Sequence, residues 1–204
     1  LVITIDAPIN GLRNREQIAK FSLPPNVRAV NIGTPPPLVH PGEGKSVVFQ
    51  GLMAQAPIWE DIAFIQQHTS LPIVLKGILN PLDAQKAAEL GVAGIVVSNH
   101  GGRALDSVPS PVEMLPIIRQ TVGDEMMVLA DSGVRRGADV VKLMALGANA
   151  VLIGQPLMYG LATAGALGVA HTIRLLRDEL EMTMALCGVG SIEEINKHCL
   201  WPTA

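Results

Sequence analysis

Five short apolar runs punctuate the chain, each closed by glycine or a polar residue: residues 1–6, 72–76, 94–98, 127–131 and 150–154. Their length and their Val and Ile content predict buried strands. Between them the apolar positions change to a helical spacing over 83–90, 111–121 and 137–146. Asn80-Pro81 predicts a cap with proline in the first helical turn, and Gly91 and Gly147 mark two helix ends. Strand ends fall roughly 20 to 35 residues apart, the size of a βα unit. Alternation of apolar strands with amphipathic helices predicts a parallel sheet covered on both faces.

Two architectures share that pattern, a doubly wound open sheet and a (β/α)8 TIM barrel. The barrel is favoured because Asp6, Lys76, Ser98, Asp131 and Gly154 stand at the carboxyl ends of the five runs, the face on which such barrels build their sites. Five strands cannot close a barrel. The expectation is therefore one α/β domain over 1–204 that supplies about strands four to eight plus the C-terminal helices. The opening run Leu1-Val2-Ile3-Thr4-Ile5-Asp6 has no start methionine or lead-in, and the chain is read as a fragment of a longer one. Residues 20–57 hold Pro24, Pro25, Pro35, Pro36, Pro37, Pro41 and Pro57 and little periodicity. They predict a long loop, either a lid or an insertion. Val47-Val48-Phe49 could touch a membrane surface, with packing under a lid the favoured role. A long helix is expected over 169–185. A short one over 191–198 would be opened by a Ser-Ile-Glu-Glu capping box.

Composition narrows the field without changing the fold. A hydrophobic content of 49% in 204 residues supports a sizeable core, and a net charge of −3 indicates neither a nucleic-acid surface nor an acidic tail. Cys187 and Cys199 are too few for a disulfide framework and fit a reduced, cytoplasmic protein. No apolar run approaches membrane-span length, and no signal-peptide pattern is present. His40, His68, His171 and His198 lack partners at metal-ligand spacing, so no metal site is expected.

The densest chemistry follows the third run, in Ser98-Asn99-His100-Gly101-Gly102-Arg103 and on to Asp106. A titratable base beside a fixed cation suits proton removal from a substrate that carries an anionic group. Taken alone, His100 is also compatible with a structural role, and Asp6 with a turn or cap.

Together with Ile5-Asp6-Ala7-Pro8, Leu75-Lys76-Gly77, Asp131-Ser132-Gly133-Val134-Arg135-Arg136-Gly137 and Ile153-Gly154-Gln155-Pro156, this element resembles the C-terminal part of the FMN-dependent α-hydroxy acid oxidase and dehydrogenase family. That family includes enzymes acting on glycolate, lactate and mandelate. The resemblance implies FMN as cofactor, a small 2-hydroxy acid as substrate, and oxygen or another electron acceptor. It implies that His100 is the base and that Asp6 holds its other ring nitrogen. Arg103 and Arg13 would clamp the substrate carboxylate, with Arg15 the rival if the loop shifts. Lys76 and Ser98 would lie beside the flavin ring. Asp131, Ser132, Gly133, Val134 and Arg135, with Gly154 and Gln155, would cradle the phosphate in the way barrels bind phosphate at their last two strands. Ser132 replaces a glycine common in the family. Gln155 stands where arginine is usual, so either FMN is held less tightly or Arg136 compensates. Many members are homo-oligomers, often tetramers. No cysteine occupies a strand-end loop, which argues against the covalent chemistry of IMP dehydrogenase-type barrels. The other readings are a flavin or phosphate-binding barrel of isomerase type, and an inactive fragment or degenerate subunit. The fragment alone is expected to be inactive.

Overall fold

A computed structural model of the chain describes residues 1–9, 11, 13–31 and 41–201. Pro35, Pro36, Pro37 and His40 of the long loop lie outside the described residues. Five strands form one sheet: β1 Val2–Thr4, β2 Val74–Ile78, β3 Gly94–Val97, β4 Met127–Ala130 and β5 Ala150–Val151. Their spatial order is their chain order, and every neighbouring pair is parallel. The helices are α1 Asn14–Ile18, α2 Trp59–His68, α3 Pro81–Glu89, α4 Pro111–Val122, α5 Gly137–Ala145 and α6 Gln155–Leu186. This is the strand-and-helix succession of a (β/α)8 barrel with five of its strands present. β1 and β5 form the two ends of the sheet.

All four residues of β3 are buried, as expected of a strand with neighbours on both sides and helices packed over it. Leu75, Ile78, Ile95, Val97, Leu115, Ile118 and Val128 make the centre of the core. Each such side chain contributes roughly 1.5–3 kcal/mol by leaving water. The start of α3 follows its predicted signal: Asn80 Oδ1 accepts from the Leu82 amide at 2.9 Å. The Glu113 carboxylate accepts from the Ser110 amide at 2.8 Å. Bonding to the Ser110 side chain and backbone holds the Glu113 carboxyl below its ordinary range.

The amino ends of β4 and β5 are tied together by one side chain on α4. Arg119 Nε donates to Gly147 O at 2.8 Å, Nη1 to Gly123 O at 2.7 Å and Met126 O at 2.9 Å, and Nη2 to Asn149 Oδ1 at 2.6 Å. Asn149 Oδ1 also accepts from the Val128 amide at 2.8 Å, at the base of β4. Burial pushes the Arg119 guanidinium down from its ordinary value, opposed by the nearby Asp124 carboxylate.

Several expectations need correction. β2 runs two residues beyond the predicted strand, so Lys76 lies inside it, and the ladder shifts register between Lys76 and Ile78. β5 pairs over only two residues. Helix α2, with Ile62 buried, has no counterpart among the predicted elements. α6 begins at Gln155 and bends at Ala164–Gly165, so the predicted 169–185 is only its second arm. The proposed helix at 191–198 is two short 3-10 turns, Ile192–Glu194 and Lys197–Cys199, because Ser191 makes no side-chain cap and Glu194 instead accepts from the Gly190 amide at 2.9 Å. Within 20–57 the chain does form regular turns, Val47–Gly51 and Leu52–Gln55. Val47, Val48 and Phe49 are exposed rather than packed under a lid. Among the described residues no helix is long and apolar enough to cross a membrane.

Candidate functional site

The carboxyl ends of β1 to β4 bring their polar residues into one cluster. Lys76 Nζ forms an ion pair with Asp131 Oδ2 at 2.9 Å and donates to Ser98 Oγ at 2.9 Å. Both charged side chains are largely covered, at 18% and 15% exposure. Each therefore relies on the other to offset lost hydration. Ser98 is fully buried and its Oγ also accepts the His100 amide at 3.1 Å. With both contacts incoming, the Ser98 hydroxyl proton remains available to a further acceptor.

His100 adopts a left-handed backbone, φ 57°, an unusual conformation for a non-glycine residue and one that clusters at functional sites. Its Nδ1 lies 3.1 Å from Asp6 Oδ1. An ionised carboxylate can only accept, so Nδ1 carries the hydrogen, and in a neutral imidazole Nε2 then holds the lone pair. The imidazole is 35% exposed and Asp6 13%, a base open to solvent on a covered partner. The seat for Asp6 is Gly77, at φ +110°: a Cβ there would overlap the Asp6 carboxyl group. Asp6 Oδ2 is buried and has no hydrogen-bond partner among the described residues.

The two arginines named for anion binding come from different loops that meet. Arg103 is exposed, and no carboxylate among the described residues pairs with it. Gly11 rests on that same loop, so closely that a Cβ would stand 2.6 Å from Arg103 O. This contact carries the start of α1 to the His100 loop. Arg13 is half-buried there, with Nη1 3.4 Å from Glu16 Oε1. Arg15 lies within α1 and is exposed.

The loops after β4 and β5 differ in a way that bears on anion binding. At the start of α5 the backbone donors are already taken. Asp139 Oδ2 accepts from the Arg135 and Arg136 amides, both at 3.0 Å, and Glu179 Oε2 accepts from the Gly137 amide at 3.0 Å. Glu179 also pairs with Arg136 Nη1 at 2.7 Å. The Gly137 amide first, and then Arg136, hold the Glu179 carboxyl below its ordinary range. At the start of α6 nothing caps Gly154. Among the described residues the amides of Gly133, Val134, Gly154 and Gln155 donate to no partner. Arg135 Nη2 reaches Gln155 Oε1 at 3.3 Å, joining the two loops. The Val134 side chain belongs to the core, so only its backbone faces this chemistry. Open amides at a helix start beside an arginine suit a phosphate monoester. Arg136 pairs through Nη1 with Glu179, and its side chain stays largely exposed.

Ser132 has φ 71°; its Oγ donates to Asp131 Oδ1 at 2.8 Å and accepts from the Gly101 amide at 3.0 Å. Sequence reasoning missed Gly77, Gly11, Asp139 and Glu179. Gly77 was visible as the last residue of Leu75-Lys76-Gly77, but Glu179 acts across 42 positions of chain and left no local signal. Among the described residues no group of three or more His, Cys, Asp or Glu could hold a metal ion. His68 stacks on Phe64, with ring centroids 4.0 Å apart.

Comparison with known proteins places this geometry. Residues 1–202 match the FMN-dependent dehydrogenase family. The chain belongs to that family. It is 48% identical over 202 residues to an L-lactate oxidase of Roseobacter sp., covering 98% of this chain and 55% of that protein. A 2-hydroxyacid oxidase of Dictyostelium discoideum is 40% identical over 201 residues, covering 98% and 52%. Mandelate oxidase solved with (S)-2-phenylpropionate superposes with a TM-score of 0.82 at 40% identity, covering 96% of this chain and 53% of that one. The same score is reached by a mandelate oxidase variant solved with a C4a-OH-FMN adduct. The chain thus spans about half the length of the relatives it matches. FMN is the cofactor of the family, and the open amides, Arg135 and Lys76 are a donor set that suits its phosphate and an electron-rich ring edge.

Proposed function

We propose that the whole protein oxidises a small 2-hydroxy acid to the 2-oxo acid with FMN, passing the electrons to oxygen or another acceptor. The observation that carries this reading is the His100–Asp6 pair, with Arg103 in the same loop as a cation that no carboxylate pairs with among the described residues. The substrate loses two electrons and two protons; bound FMN would accept both electrons and one proton, and His100 the other. Arg103 and Arg13 hold the substrate carboxylate through paired N–H donors, which fixes the hydroxyl-bearing carbon in one orientation. His100 Nε2 takes a substrate proton, and Asp6 keeps the tautomer and stabilises the imidazolium that results. Lys76 and Ser98 present a cation and a hydroxyl proton to the flavin edge where negative charge develops. The backbone of Ser132, Gly133 and Val134, with Arg135, Gly154 and Gln155, holds the phosphate. Asp131 sets the position of Lys76.

The activity is proposed for a protein with a closed barrel. The 204-residue chain alone, with both sheet edges open, is expected not to turn over, and its edges favour association. A soluble, active monomer of these residues would contradict that. The reading as a whole is tested by titrating FMN into full-length protein and assaying glycolate, lactate and mandelate with oxygen and with an artificial acceptor. Stoichiometric FMN uptake and turnover of at least one acid are expected. Protein that takes up no FMN would overturn the proposal.

A further inference from the structure

The Ser132 hydroxyl closes a ring of hydrogen bonds. Following the donors, the Gly101 amide gives to Ser132 Oγ at 3.0 Å, and Ser132 Oγ gives to Asp131 Oδ1 at 2.8 Å. Asp131 Oδ2 pairs with Lys76 Nζ at 2.9 Å, and Lys76 Nζ gives to Ser98 Oγ at 2.9 Å. Ser98 Oγ accepts the His100 amide at 3.1 Å, and the peptide between His100 and Gly101 completes the circuit. The ring joins residues of β2 and those that follow β3 and β4. It places the ammonium of Lys76 and the backbone of the base under one set of constraints.

Two features single out Ser132 within it. Its backbone sits at φ 71°, a left-handed conformation that a glycine would adopt without strain. A side chain at such a position is retained against a conformational cost, and here both lone-pair and proton of the hydroxyl are used. Asp131, moreover, is the counter-ion of Lys76. A hydroxyl donating to the far oxygen of that carboxylate draws off part of its charge. Without it the carboxylate holds Lys76 more tightly and cancels more of the positive potential that the ammonium offers outward.

We propose that Ser132 is a positioning residue: through Asp131 it tunes the charge that Lys76 presents to the flavin, and through the Gly101 amide it fixes the His100 loop. This rests on the function proposed above and goes beyond phosphate binding, the only role expected of residue 132. The test uses full-length holoprotein with Ser132→Gly, which suits φ 71°, and Ser132→Ala, which keeps the Cβ but loses the hydroxyl. Both are expected to lower the preference for reduced over oxidised flavin about tenfold, a downward shift of about 30 mV in the two-electron potential. The kcat falls by a similar factor, while KM changes less than about twofold. In FMN-free protein, hydrogen exchange of the Gly101 amide quickens about fivefold in both variants, as loss of one hydrogen bond predicts. A purely conformational role would leave Ser132→Gly with the wild-type potential and Gly101 exchange, and that result overturns the proposal. If wild-type holoprotein is not reduced by any 2-hydroxy acid, it is the underlying function that fails, so the two failures are distinguishable.

Discussion

Arg119 and Arg103 sit at opposite ends of the same sheet and meet opposite treatment. At the amino ends of β4 and β5, Arg119 spends its donors on three backbone carbonyls and Asn149. At the carboxyl ends, Arg103 is exposed and pairs with no carboxylate among the described residues. Around Arg119 the polar groups have partners in the chain, whereas the other rim holds, among the described residues, an Asp6 oxygen with no partner, four open amides and the left-handed backbones of His100 and Ser132. Partners within the chain make stability; groups held in place without partners wait for a ligand. The barrel separates the two tasks by the direction of its strands.

Exchanging the two arginines for alanine tests that separation. Arg103→Ala in full-length protein is expected to lower kcat/KM by roughly 10^3-fold, the loss of an oriented carboxylate clamp, with no change in the denaturation midpoint. Arg119→Ala should reverse the pattern. Stability falls by about 2–3 kcal/mol in urea denaturation, because carbonyls at the base of the sheet lose a charged donor. The kcat of the folded fraction stays at the wild-type value. An activity loss in Arg119→Ala at full folding would break the comparison.

The smallest effect sharpens it. Glu179 ties α6 to the start of α5, and its carboxyl is held below the ordinary 4.5, chiefly by the Gly137 amide and then by Arg136. A lowered folded-state value means the contribution is present above pH 4.5 and lost as pH falls through the folded value. Wild type should therefore exceed Glu179→Gln in stability at neutral pH, and the difference should vanish in acid. Equal stability at both pH values would show that this contact adds nothing.

How far the sequence foretold this depends on the range of each interaction. Strand runs and the Asn80 cap are local signals, and the chain folds as they indicate; the Ser110–Glu113 box is equally local but has no counterpart among the predicted signals. The strand ends likewise predicted that Asp6, Lys76, Ser98, His100 and Asp131 converge. Helix α2 escaped because it follows a proline-rich stretch that reads as irregular, although Ile62 and Ile65 mark its inner face. The first arm of α6 escaped because Gly160, Gly165 and Gly168 dilute its pattern. Glu179 and Gly77 owe their roles to partners distant in the chain, as do the bonds of Arg119 to Gly147 and Asn149, so no short window of sequence contains them. The pairing of Arg136, one candidate to compensate at Gln155, with Glu179 is a contact only the fold reveals.

The central claim is that His100, held by Asp6, removes the substrate proton in an FMN-linked oxidation. It is tested most directly by adding, without oxygen, whichever of glycolate, lactate and mandelate the wild type turns over to FMN-loaded full-length protein and to its His100→Ala variant, and following the yellow flavin absorbance. The wild type is predicted to bleach and the variant to bleach at least about 10^2-fold more slowly with FMN still bound. Equal bleaching rates in the two would contradict the assignment of His100 as the base.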